Sequence, residues 1–104
     1  MVKYKVILST RARAPLLDHI SFLARVSLSA ARRLRNSFEN TRRRLSDNPF
    51  QFPLDPLFSK LDLRYRCAFF EGRYKVLFIL GANEVFIDSV TDCRQQRDSV
   101  SVNR

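Results

Sequence analysis

The stretch Leu63-Arg64-Tyr65-Arg66-Cys67-Ala68-Phe69-Phe70-Glu71-Gly72-Arg73-Tyr74-Lys75-Val76-Leu77-Phe78-Ile79-Leu80, continued by Gly81-Ala82-Asn83 and Glu84-Val85-Phe86-Ile87-Asp88-Ser89-Val90, decides the fold. Three runs rich in β-branched and aromatic residues are separated by Glu71-Gly72 and by Gly81-Ala82-Asn83, both of which have turn chemistry. That pattern predicts a meander of two hairpins. With Glu71-Gly72 as a two-residue turn, Phe70 faces Arg73, Phe69 faces Tyr74, Ala68 faces Lys75, Cys67 faces Val76 and Arg66 faces Leu77. Directly paired residues share a face. Tyr65, Cys67, Phe69, Tyr74, Val76 and Phe78 are therefore expected on one apolar face, joined by Val85 and Ile87. Arg64, Arg66, Arg73 and Lys75 are expected together on the other, with Asp88, Asp92 and Arg94 falling towards them.

Upstream, residues 2–9 alternate Val2, Tyr4, Val6 and Leu8 against Lys3, Lys5 and Ser9, the period of a half-buried strand. Ser9 and Thr10 supply turn chemistry. Pro15 has no N–H to donate and suits only a helix's first turn, so a helix is expected to start near residue 12. Over residues 12–26, Leu16, Leu17, Ile20, Leu23 and Ala24 fall on one helical face. Ser27 has N-cap chemistry and opens a second helix running to about Ser46. There Ala30, Ala31, Leu34, Phe38, Thr41 and Leu45 make a stripe roughly 100° wide. Arg32 and Arg43 lie opposite that stripe, and Arg33, Arg35, Arg42 and Arg44 flank it. Two amphipathic helices with so short a connection form an antiparallel hairpin. Phe22 falls on the outer side of the first helix, as a lone exposed aromatic or as a partner contact. Asp47-Asn48-Pro49 ends the second helix, and residues 48–60, with Pro49, Pro53 and Pro56, read as a surface loop.

The expected fold class is α+β: an N-terminal strand, an antiparallel helical hairpin and a three-stranded antiparallel meander, with the helices packed on one face of a four-stranded sheet. One domain spans residues 1–104, and residues 98–104 are expected to form a flexible tail. Nine Phe and three Tyr give so small a chain enough apolar area for a core.

Charge narrows the function. Nineteen basic residues, fifteen of them Arg, against ten acidic ones give +9, a field that favours polyanionic partners. Guanidinium groups bind phosphate or carboxylate in a two-pronged way that Lys cannot match. Two cysteines and one histidine, His19, are too few for a disulfide framework or a Cys/His zinc site. Cys67 reads as a small buried residue and Cys93 as a free thiol. No apolar run is long enough for a membrane span and the N-terminus lacks a signal peptide's apolar core, so a cytoplasmic protein with no membrane partner is expected.

Few residues can carry chemistry. His19 has no partner suggested by spacing, so an acyl-transfer site is not expected. Gly72 and Gly81 both fall in turns, which leaves no phosphate-cradling loop. The basic sheet face remains. Cations on a shallow surface suit RNA phosphates and can stabilise charge building on a phosphorane without metal or cofactor. The same face suits an acidic peptide.

The order of strand, helical hairpin and meander in about a hundred residues resembles the RelE/ParE toxin superfamily. Ile20-Ser21-Phe22-Leu23-Ala24 followed by Ser27-Leu28-Ser29-Ala30-Ala31 is similar to that family's helix end, Ser cap and Ala-Ala entry into the second helix. Leu45 through Pro49 to Pro53 is similar to its helix close, and Arg73-Tyr74-Lys75-Val76-Leu77-Phe78, Val85-Phe86-Ile87-Asp88 and Asp92-Cys93-Arg94-Gln95 resemble its last strands and terminal basic motif. The resemblance covers residues 2 to about 97.

The resemblance implies the growth-arresting toxin of a bacterial type II toxin–antitoxin pair, of the kind associated with plasmid stabilisation. Its partner would be a cognate acidic, partly disordered antitoxin, with higher-order assembly. One branch of the family cuts mRNA in the ribosomal decoding site, so ribosome and mRNA would be partners. The other inhibits DNA gyrase. By resemblance to the ribonuclease branch, Arg66, Lys75 and Arg94 are the candidate catalytic residues, with Arg64 and Arg73 as phosphate contacts and Phe22 facing the antitoxin. Ala68 and Val100 depart from that branch, which carries lysine and tyrosine near those places in some members. The helical hairpin looks more like the gyrase-directed branch. Three readings stay open: an mRNA interferase, a non-enzymatic gyrase inhibitor, and a basic nucleic-acid-binding module unrelated to toxicity.

Overall fold

The computed structural model describes residues 3–58 and 64–93, so Arg94 and the expected 98–104 tail lie outside the described residues. Its elements run β1 (Lys5–Leu8), α1 (Thr10–Val26), α2 (Leu28–Asp47), a 3-10 turn (Pro49–Gln51), β2 (Arg66–Phe70), β3 (Tyr74–Leu80) and β4 (Glu84–Asp92). The four strands form one sheet in the order β1-β4-β3-β2, with β1 parallel to β4 and the meander antiparallel. The α+β architecture is thus as expected, with a mixed sheet. Among the described residues, no helix is long and apolar enough to cross a membrane.

Helix α1 starts two residues earlier than Pro15 suggests. Ser9 is not a turn residue but the N-cap, its hydroxyl accepting from the Ala12 N–H at 3.1 Å. Pro15 consequently sits in the second turn, where its missing N–H leaves the carbonyl four residues back without an intrahelical donor. Residues 11 and 15 are both exposed, so water can serve that carbonyl.

Ser27 closes one helix and opens the next. Its N–H donates to the Leu23 carbonyl at 2.7 Å, and its hydroxyl accepts from the Ala30 N–H at 3.2 Å. A single extended residue therefore reverses the chain. Ser27→Ala is expected to destabilise the domain by about 1 kcal/mol and Ser27→Gly by only a few tenths. Thermal melts check this; a larger loss for Gly than for Ala would contradict the capping role.

The α2 stripe packs as its period implies. Ala31, Leu34, Phe38, Thr41 and Leu45 are buried, and the Thr41 hydroxyl is satisfied by the Ser37 carbonyl at 3.0 Å. Leu34, Phe38 and Leu45 meet Ala12 and Leu16 of α1 and Ala68, Phe70, Tyr74, Val76, Phe78, Val85 and Ile87 of the sheet. Leu17 and Ala24, expected on the packed face of α1, are exposed instead. No residue between 17 and 30 is fully buried: Ile20 and Leu23 still touch the core, while Leu17, Phe22, Val26 and Leu28 face outward. The sheet is narrower than the hairpin is long.

The decisive correction concerns register. Glu71 and Gly72 have the left-handed φ values of a two-residue turn, 53° and 72°, and the Arg73 N–H reaches the Phe70 carbonyl at 3.3 Å. The ladder nevertheless resumes at Phe70–Tyr74, with Arg73 as an extra residue, and continues Phe69–Lys75, Ala68–Val76, Cys67–Leu77 and Arg66–Phe78. A one-residue offset sends every side chain of β2 to the other face. Ala68 and Phe70, not Cys67 and Phe69, look into the core. There Phe70 stacks on Tyr74 at 5.3 Å and meets Phe38 edge-on at 5.6 Å, while small Ala68 leaves room for the helices. Tyr65, expected on the apolar face, is half-buried and stacks edge-on against Phe58 outside that core.

A second irregularity lies opposite. The β3–β4 register shifts between Leu77 and Phe78, pairing them with Ser89 and Ile87 and leaving Asp88 as the inserted residue. Beyond it, Val90 and Asp92 lie on the helix-facing side, paired with Val76 and Tyr74. Asp92 was expected on the opposite face.

Candidate functional site

Among the described residues, the expected cations do not line one open face. Arg66 and Lys75 stand on opposite faces of the sheet, because Arg66 shares the parity of Ala68 and Phe70 while Lys75 pairs with Phe69. Their separation follows directly from the β2 register.

Arg66, Arg73 and Lys75 each have an acceptor. Arg66 donates from Nη1 to the Phe52 carbonyl and lies over the Phe50 ring, 5.2 Å from its centroid. Arg73 bonds to the Asp92 carboxylate and covers the Tyr74 ring at 5.3 Å. The bond to Asp92 raises the Arg73 pKa further, against a smaller opposing effect of burial. Arg64 is exposed just before β2. Arg94 lies outside the described residues. Asp88 pairs across 3.7 Å with Arg11 of α1 instead of with a strand cation.

Residues 49–58, read from sequence as a plain surface loop, are a strap that wraps the β2 edge. Phe52 enters the core beside Phe78 at 6.1 Å, and Leu54 bridges to Arg66. The Asp55 N–H donates to the Tyr65 carbonyl, and the Cys67 N–H to the Pro53 carbonyl. The strap then reaches the far face, where Asp55 binds Lys75 at 3.0 Å. Only 2% of the Asp55 side chain and 17% of that of Lys75 are exposed. Burial alone would push the Asp55 carboxyl up. Hydrogen bonds from the Phe58 N–H, Lys75 and the Leu57 N–H together outweigh it and hold the group below the ordinary aspartate range. Burial, reinforced by the Asp55 charge, pushes the Cys67 thiol up. Pro53, Leu54, Pro56, Leu57, Cys67 and Phe69 complete a cleft of about 450 Å³ around this pair. Sequence reasoning missed Asp55 because nothing in the spacing of residues 48–60 announces a long-range partner.

Among the described residues, most of the exposed positive charge lies elsewhere. Helices α1 and α2 carry nine arginines and three carboxylates, a net +6 of the chain's +9. All nine are exposed. Arg11, Arg33 and Arg42 contact Asp88, Glu71 and Glu39, and Arg44 lies over Phe52. Arg13, Arg25, Arg32, Arg35 and Arg43 present their charge to solvent. Two of the outer apolar residues of the hairpin, Phe22 and Val26, lie four apart on α1 among these cations. Phe22 stacks beside His19, which also meets the Tyr74 ring at 5.4 Å. His19 thus packs between helix and sheet.

No protein-family description matches the sequence, and no curated protein matches it.

Proposed function

We propose that the chain is the growth-inhibiting toxin of a type II toxin–antitoxin pair, acting by binding its target and not by cleaving RNA. The observation that carries the mode of action is the distribution of charge. Cations that stabilise one phosphorane must converge on it within hydrogen-bond reach. Arg66 and Lys75 point to opposite sides of the sheet, and Asp55 already neutralises Lys75. The helical hairpin, by contrast, offers exposed arginines with Phe22 and Val26 among them, a mixed surface suited to a macromolecular partner. This mode corresponds to the gyrase-directed branch of the RelE/ParE superfamily, whose hairpin the sequence resembles. The antitoxin would be an acidic segment that folds on the basic surface and covers Phe22.

Expression of the chain alone in bacteria tests the toxin reading. Growth is expected to stop, and co-expression of a short acidic open reading frame from beside the gene is expected to restore it. Normal growth with soluble, folded protein at high level would overturn the proposal.

A further inference from the structure

The sheet face turned away from the helices is unusual for one side of a small α+β domain. Such faces normally alternate polar residues with core residues. Here β3 is apolar at every position from Tyr74 to Leu80 except Lys75, whose charge Asp55 matches. That is the pattern of a strand covered on both sides, and the strap covers it only at the end that carries Lys75, beside Cys67. The far face presents Phe69 at 61% exposure and Phe86 at 41%, with half-buried Ile7 and Ile79 flanking Phe86 on the two neighbouring strands. Leu54 and Leu57 of the strap extend it at one edge.

We propose that this face is a self-association surface on which a second copy of the chain docks, face to face about a two-fold axis. Charge selects that occupant. A chain at +9 repels its own copies over most of its surface, yet this face is balanced: Lys5 stands beside Glu84 in the ladder, and Lys75 beside Asp55. The +6 of the helices lies on the opposite side of the molecule. Packed sheets lie about 10 Å apart and each helix layer adds about 10 Å, so the two basic hairpins would stand roughly 30 Å apart. That is several times the ~8 Å Debye length at physiological salt, and their repulsion is screened. A polyanionic partner gains little from a face whose charges are balanced.

Size sets the strength. Seven residues of β3 across four strands span a footprint of roughly 450 Å² per copy, about 900 Å² for the pair. Interfaces of that class are weak and reversible, so the dimer is concentration-dependent. An isologous pair also leaves both hairpins free for the target, which gives a bivalent binder.

Analytical ultracentrifugation of the full chain, made by cell-free synthesis, tests this without reading toxicity. The wild type is expected to shift with concentration from 12.2 kDa towards twice that mass, with little dependence on salt. Phe69→Asp and Phe86→Asp are each expected to weaken association roughly thirtyfold or more. Phe22→Asp, equally exposed but on the helical side, is expected to leave it unchanged. Circular dichroism confirms the fold; should an Asp variant lose it, Phe69→Thr and Phe86→Thr keep a strand-compatible residue and are expected to weaken association in the same order. A wild type that stays monomeric to its solubility limit overturns the proposal. So does a dimer that Phe22→Asp breaks as readily as the sheet-face variants.

Discussion

Lys75→Ala is expected to destabilise the domain by about 3 kcal/mol, because it leaves the Asp55 carboxylate buried without its cation. For a domain of this size that lowers Tm by roughly 15 °C. An exposed site cation would change stability by only a few tenths. The Lys75→Met/Asp55→Asn pair is expected to recover much of the loss, since Asn can still accept from the Leu57 and Phe58 N–H groups and no buried charge remains. The same pair gives a pH signature. Asp55 is held below its ordinary value in the folded state, so its stabilisation is complete above the unfolded value. It is lost as the pH falls below about 4 through the folded value. Acid titration of Tm is expected to be shallower for Asp55→Asn than for the wild type. Equal acid dependence of the two proteins would show that the ion pair does not hold the strap.

The second large effect concerns the hairpin. Replacing Arg32, Arg35 and Arg43 together with Gln keeps good helix formers at exposed positions and removes three solvent-facing cations. Stability is expected to change by less than about 0.5 kcal/mol per site. Association with an anionic target is expected to slow by roughly tenfold to a hundredfold as steering is lost, and growth arrest to disappear at matched expression. Arg64→Ala is expected to leave arrest intact. Arrest that survives the triple variant and vanishes with Arg64→Ala would return the site to the sheet.

How much of this was legible in sequence depends on how many residue types could satisfy a position. Ser27 and the α2 stripe were legible, because only one helical face of residues 30–45 is apolar. The meander was legible from Glu71-Gly72 and Gly81, where turn chemistry interrupts β-rich runs. The register was not. Cys67, Ala68, Phe69 and Phe70 are apolar at both parities, so the period does not choose a face, and the turn that sets the offset can close with or without Arg73 in the loop. Packing decides it, through Phe70 against Phe38 and Tyr74. The candidate site inherited that ambiguity whole: a one-residue change separates Arg66 from Lys75. Pro15 misled for a simpler reason. An exposed second-turn proline loses a single helical bond, and the Ser9 cap offsets part of the loss.

The central claim, binding in place of cleavage, is tested most directly with purified components. One preparation of the wild-type chain is titrated in parallel into a gyrase supercoiling reaction and into ribosomes programmed with a defined mRNA. Supercoiling is expected to be inhibited in proportion to bound chain, and the triple hairpin variant to require at least about tenfold more protein. The mRNA is expected to stay full-length on the ribosome. Specific cleavage of ribosome-bound mRNA, with supercoiling untouched at the same concentrations, would contradict the account.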